Sequence, residues 1–322
     1  MIRTVKETIQ DYQSQYRFMA PDNASIDRAQ SLWEAWEKSG IEAPNVQQIA
    51  DTSLQWEIGF FKDLVTITEW MEGKELNIQY CAFCLDKYNF YAVSAKDGYV
   101  VLVDDYFFQF LYILITVLIF HAQGLVEPHE EAELRILVRK MILNNYFKRR
   151  RFNFAEDNIA QRLLVRDYEI AEFANYFFHS LKIFILSHEI GHHVLGHTKG
   201  TMTKTMVSST KKATIEVDRR EIIDEFEADN YGYRLFDKVS NTIDERIVHA
   251  FCQFKFDFAP LFLFDLFERL DEMSEVLTGQ KNSYTTHPPP IKRQSSLQRA
   301  FDIPIDDPLH AELKKSLEMV SL

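Results

Sequence analysis

Leu181-Lys182-Ile183-Phe184-Ile185-Leu186-Ser187-His188-Glu189-Ile190-Gly191-His192 runs from an apolar segment that reads as a buried helix into two histidines four residues apart. Residues at that spacing share a helix face, so His188 and His192 point the same way and can hold one metal ion. Glu189 then sits beside the ion without ligating it, placed to take a proton from a bound water. The spacing therefore points to a zinc hydrolase core.

A hydrolytic zinc site normally has three protein ligands and a water, so a third ligand is required. A metzincin would continue with a glycine and then a third histidine at three-residue intervals, and Leu195 and Thr198 stand there instead. At about 100° per residue, His197 falls on the far side of the helix from His188. His193 and His197 accordingly read as surface or packing histidines.

The segment Asp224-Glu225-Phe226-Glu227-Ala228-Asp229 offers a better source. Glu225 and Asp229 are again four apart, on a stretch from 220 to 236 that reads as a helix. One carboxylate can ligate while the other accepts the ring N–H of a liganding histidine and fixes its tautomer. Without the histidine pair upstream, the same residues would read as a solvated acidic helix face. A third element is Tyr284-Thr285-Thr286-His287-Pro288-Pro289-Pro290-Ile291-Lys292-Arg293. Its prolines hold the backbone extended and present His287 from a stiff, non-helical segment, where a ring N–H can stabilise an oxyanion.

Taken together, His188-Glu189-x-x-His192, Glu225-x-x-x-Asp229 and His287-Pro288-Pro289 with Arg293 six residues on resemble the M48 metallopeptidases. That gluzincin family includes the CAAX prenyl proteases, and the motif order is similar to that of the soluble phage-exclusion peptidase Lit. A weaker likeness lies in Asn89-Phe90-Tyr91-Ala92 and Gly98-Tyr99-Val100-Val101, with Phe90 and Tyr91 standing between the asparagine and the alanine. The resemblance covers roughly residues 89 to 297 and is specific only at the motifs. It implies one zinc ion ligated by His188, His192 and Glu225, with Glu189 as general base and Asp229 supporting a ligand. It further implies that His287 stabilises the oxyanion, and that Asn89 and Arg293 contact a protein or peptide substrate. The implied fold is an α+β zincin-like metallopeptidase domain, mostly helical with a small sheet, over residues 46–322. A helical N-terminal extension would occupy residues 1–45.

In this fold class substrates usually lie extended along an edge strand. The candidate edge is Asn89–Ser94, turning through Ala95-Lys96-Asp97-Gly98 into Tyr99–Val103, and the Asp-Gly pair is a hairpin signal. Elsewhere Ile58–Glu69 is rich in β-branched and aromatic residues and reads as a strand, with a helix as the alternative. Glu130–Lys148, Asn158–Lys182 and the aromatic run Phe251–Leu270 read as helices. The Thr-, Ser- and Lys-rich stretch 198–218 reads as a mobile loop between the two metal helices.

With 322 residues, 46% of them hydrophobic, the chain can bury a large core. A formal net charge of -12 argues against nonspecific nucleic-acid binding, and the one basic run, Lys148–Arg151, reads as a solvated helix end. Three cysteines suit buried, reduced thiols and a cytoplasmic compartment better than a disulfide framework. The apolar run Tyr106–Phe120 falls short of the about 20 residues a span needs and reads as a core helix. Three functions follow as expectations. The first is an active zinc endopeptidase, and the second a binding or regulatory module on that fold, latent until a partner opens it. The third, a membrane-associated processing protease, would need Tyr106–Phe120 in lipid.

Overall fold

A computed structural model describes residues 3–15, 46–83, 90–143, 163, 166–197, 201–207, 212–218, 221–241, 256–279, 287–304 and 306–320. The chain is α+β, mostly helical with small sheets, and divides into two compact units. The first gathers Met1–Gln109, Arg149–Gln161 and Thr198–Arg219; the second gathers Phe110–Lys148, Arg162–His197 and Arg220–Leu322.

In the first unit, helices α1 (Val5–Gln15) and α2 (Val46–Glu72) accompany strands β1 (Ile78–Phe83), β2 (Tyr91–Ser94) and β3 (Tyr99–Asp104). The strand order is β1-β3-β2, with β1 parallel and β2 antiparallel to β3. The expected hairpin is present, with Tyr91 opposite Leu102 and Ser94 opposite Tyr99. Its turn needs Gly98, because a Cβ there would stand 2.1 Å from the Asn77 carbonyl oxygen. The Val5 N–H donates to Asp97 Oδ1 at 2.7 Å and the Lys96 N–H to the Arg3 carbonyl at 2.6 Å, so the start of α1 is tied to that turn. Residues 16–45 of the expected extension lie outside the described residues, as do Asn89, Cys84 and Lys148–Arg151.

Two expectations are corrected in this unit. Ile58–Glu69 is helical, within α2. Phe61, Leu64, Val65 and Thr68 are buried at helical spacing, and that stripe overrides strand propensity. The threonines satisfy their hydroxyls inside the helix: Thr66 donates to the Lys62 carbonyl and Thr68 to that of Leu64. The presumed loop at 198–218 forms β4 (Thr201–Val207) and β5 (Lys212–Asp218), an antiparallel ladder with Thr201 opposite Asp218. In β4 the β-branched Thr201, Thr203, Thr205 and Val207 recur at period two, and in β5 Ala213, Ile215 and Val217 alternate with polar residues, a strand signal that the polar composition masked. Strand β5 runs beside β2, one of the two edge strands of the larger sheet.

The second unit holds most of α3 (Asp105–Ala122), then α4 (Pro128–Met141), α5 (Tyr168–Val194) and α6 (Ile222–Asn241). It continues with α7 (Ala259–Thr278), α8 (Pro290–Phe301), α9 (Pro308–Ser316) and a 3-10 turn, Leu317–Val320. The side chains of α3 from Phe110 to Phe120 are nearly all buried, as a core helix requires. Among the described residues no helix is long and apolar enough to cross a membrane.

Helix α5 is the spine of the unit. Asp167 caps it by accepting the Ile170 N–H at 3.1 Å, and its middle buries Phe177 and Phe184 against Phe262 and Phe264 of α7. Each such ring contributes about 1.5–3 kcal/mol by leaving water. The run expected as a helix over Asn158–Lys182 and the histidine pair thus belong to one continuous helix from Tyr168 onward. Helix α6 packs along the C-terminal half of α5 with glycines at the contact. Gly191 faces the Tyr231 side chain, and Gly232 faces the backbone of His188. That close approach brings the carboxylates of α6 to the histidines of α5.

Candidate metal centre

His188, His192 and Glu225 converge where α5 meets α6, all three buried. The Nε2 atoms of the two histidines lie 3.1 Å apart. His188 Nε2 is 3.6 Å from Glu225 Oε2 and His192 Nε2 is 3.5 Å from Glu225 Oε1. Glu225 is wholly shielded from solvent, at 0% exposure. This group can hold a metal ion.

The outer nitrogens explain the inner ones. His188 Nδ1 lies 2.9 Å from Asp229 Oδ1, so its N–H donates to that carboxylate. Arg293 grips the same carboxylate in a fork, Nε to Oδ2 at 2.7 Å and a terminal nitrogen to Oδ1 at 2.6 Å. Its Nη1 reaches Glu225 Oε2 at 3.6 Å, and its guanidinium carbon lies 5.0 Å from the centroid of the Phe264 ring. With the Nδ1 proton held by Asp229, the second nitrogen of His188 faces that of His192. Two lone pairs would repel at 3.1 Å, so the contact needs one ring to donate an N–H to the other, or a metal ion between them.

The electrostatics agree. Burial is the largest influence on His188 and pulls its pKa down, but hydrogen bonds to Asp229 and Glu225 outweigh it and raise the ring to about 9. Burial would raise the Glu225 carboxyl, yet His188, His287 and Arg293 together hold it well below the usual range. Asp229 is likewise held down against burial, mainly by Arg293. Arg293 itself is raised, since the charges of Asp229, Glu225 and Glu189 outweigh its desolvation.

Glu189 is buried on α5, close enough for its charge to act on Arg293. His287 stands just ahead of the proline run that opens α8, with Nε2 3.7 Å from Glu225 Oε2 and its side chain 41% exposed. Arg293 lies on the first turn of α8. The structure thus brings His188, Glu189, His192, Glu225, Asp229, His287 and Arg293 into one neighbourhood.

Sequence reasoning missed His197. Helix α5 ends at Val194, so extending 100° per residue beyond it misplaces this histidine. Gly196 adopts φ 69°, the Gly196 N–H bonds to the His193 carbonyl and the His197 N–H to the His192 carbonyl. That left-handed cap folds the chain back on its last turn. His197 is consequently buried, with Nδ1 3.0 Å from His192 Nδ1 and Nε2 2.9 Å from Glu227 Oε2. A glycine two residues after the helical pattern stops is the sequence signal that could have found it. His193 is buried, in keeping with a packing role. Cys81 is a buried free thiol whose pKa burial pushes up to about 12.

No family model, curated protein or solved structure matches the chain.

Proposed function

We propose that this chain is a zinc-dependent peptide hydrolase on a zincin-like core, with His188, His192 and Glu225 as ligands and Glu189 as general base. The convergence of three buried donors at 3.1, 3.5 and 3.6 Å from one another carries the reading. Zinc bound tetrahedrally at about 2.0–2.1 Å keeps its donors about 3.3 Å apart, and the two histidine nitrogens and the two Glu225 oxygens stand at separations of that size. Charge supports it too. With both histidines neutral, the carboxylates of Glu189, Glu225 and Asp229 face the single guanidinium of Arg293, and one divalent ion makes good the difference.

A bound zinc ion supplies Lewis acidity, which lowers the pKa of a water and polarises a carbonyl. Glu189 accepts the proton of the attacking water and passes it to the leaving amine. His287, half exposed beside Glu225, donates its ring N–H to the carbonyl oxygen as negative charge develops there. Asp229 keeps the proton of His188 on Nδ1, and Arg293 holds Asp229 in place.

Elemental mass spectrometry of the purified chain tests this first. Near one zinc per chain is expected, with none in the His188→Ala/His192→Ala double variant, and the parent should cleave unfolded protein substrates. A parent that takes up no zinc when zinc is supplied would sink the reading.

A further inference from the structure

We propose that His197, backed by Glu227, is a positioning residue for His192: it fixes the tautomer and ring orientation that aim His192 Nε2 at the metal. This rests on the zinc-site reading above and adds a residue to it.

The direction of the hydrogen bonds carries the argument. The Glu227 carboxylate can only accept, so the contact at 2.9 Å places a proton on His197 Nε2. A neutral His197 then presents a lone pair at Nδ1. The contact at 3.0 Å is satisfied when His192 donates its own Nδ1–H to that lone pair. The lone pair of His192 is thereby sent to Nε2, on the side of His188 and Glu225. With a metal on Nε2 of His192 its ring proton stands on Nδ1, and a His197 also protonated at Nδ1 would set two N–H groups against each other, so in the loaded site His192 is the donor. The rings stand at 71° with centroids 5.2 Å apart, which also limits rotation of His192.

The two liganding histidines are thus supported differently. His188 is backed directly by a buried carboxylate that Arg293 holds. His192 is backed through a second imidazole, and the chain ends at Glu227, whose side chain is 57% exposed. Backbone geometry makes this arrangement available, since the left-handed turn at Gly196 is what returns His197 to His192.

A competing use of the same atoms is a second cation site, because ligand atoms of His197, Asp224 and Glu227 lie within 4.8 Å of one another. Two facts count against it. Asp224 Oδ2 already accepts the Glu221 N–H at 2.7 Å, at the start of α6. Glu227 Oε2 already has a partner in His197 Nε2 at 2.9 Å, a hydrogen-bond distance with no room for an ion between the two atoms.

The test measures zinc affinity of the full chain by competition with a chromophoric chelator, alongside the visible spectrum of the cobalt-substituted protein. His197→Phe keeps the bulk and loses the relay, and zinc affinity should fall about 10–100-fold with an altered cobalt spectrum. His197→Gln should recover most of the affinity, because its amide can accept from His192 and donate to Glu227. Glu227→Ala, a change at a carboxylate whose side chain is 57% exposed, should weaken zinc in the same direction by a smaller factor while leaving the buried packing untouched. Unchanged affinity and spectrum in His197→Phe and Glu227→Ala would overturn the positioning role while leaving the zinc site standing. Two tightly bound ions per parent chain would overturn it in favour of the second cation site. A parent that binds no zinc removes the underlying reading and this inference with it.

Discussion

Gly232 of α6 lies against the backbone of His188: a Cβ on it would stand 2.9 Å from the His188 nitrogen and 3.0 Å from its Cα. The contact sets how closely the helix of the carboxylates approaches the helix of the histidines. Gly232→Ala is therefore expected to push α6 off α5. Overpacking of this kind costs about 1–3 kcal/mol, against about 1 kcal/mol that alanine gains over glycine in a helix interior. Denaturant unfolding should show a net loss and zinc competition a weaker site. Gly59→Ala in α2 is the control, since nothing lies within 4 Å of its Cβ position, and it should stabilise by up to about 1 kcal/mol.

Arg293→Met removes the fork that holds Asp229 and leaves a buried carboxylate short of its partner. A loss of about 3–5 kcal/mol in stability is expected without metal. Zinc on His188 restores positive charge next to Asp229, so the loss should shrink when zinc is present. Unfolding curves of parent and variant, each with and without zinc, check this. An equal loss in both conditions would mean that Asp229 and the ion are not coupled through His188.

Much of the site was legible because it depends on spacing within helices. Four-residue intervals placed His188 with His192 and Glu225 with Asp229, and the proline run marked His287 as held on extended backbone. The fold around them was less legible, for reasons specific to each element. In α2 the residues between 58 and 69 carry both a β-branched composition and a helical apolar stripe, and only packing decides between them. In β5 Ala213, Ile215 and Val217 alternate with polar residues, but the run is short and lies in a stretch whose Thr, Ser and Lys content reads as loop. His197 escaped because a single left-handed glycine redirected the chain beyond the last helical turn. The depth of Gly232 against His188 needed the partner helix to be seen at all.

Glu189→Gln is nearly isosteric and leaves His188, His192 and Glu225 in place. It should bind zinc like the parent and lose peptide hydrolysis by at least about 10²–10⁴-fold, the usual contribution of a general base. Metal content and single-turnover cleavage of an unfolded protein, measured on one preparation, separate the two effects. Parent-like cleavage would show that another group takes the proton.

Away from the site, Glu130 tests how electrostatics hold the second unit together. Arg166 forks onto its carboxylate, one nitrogen at 2.8 Å, and also donates to the Leu125 carbonyl at 3.0 Å. The Glu127 N–H donates to the same carboxylate at 3.0 Å, closing the first turn of α4. Chiefly through the hydrogen bond from Arg166, the Glu130 pKa falls from its ordinary 4.5 to about 2. A carboxylate depressed in the folded state stabilises it fully above the unfolded value and loses that contribution as pH falls through the folded one. The stability difference between parent and Glu130→Gln should therefore be constant above about pH 5, shrink between pH 4.5 and about 2, and level off below. Denaturant midpoints of both proteins across that range provide the measurement, and taking the difference cancels the acid sensitivity of Asp229 and Glu225. A difference that stays flat from pH 5 to 2 would mean that the ion pair with Arg166 does not hold the folded unit together in solution.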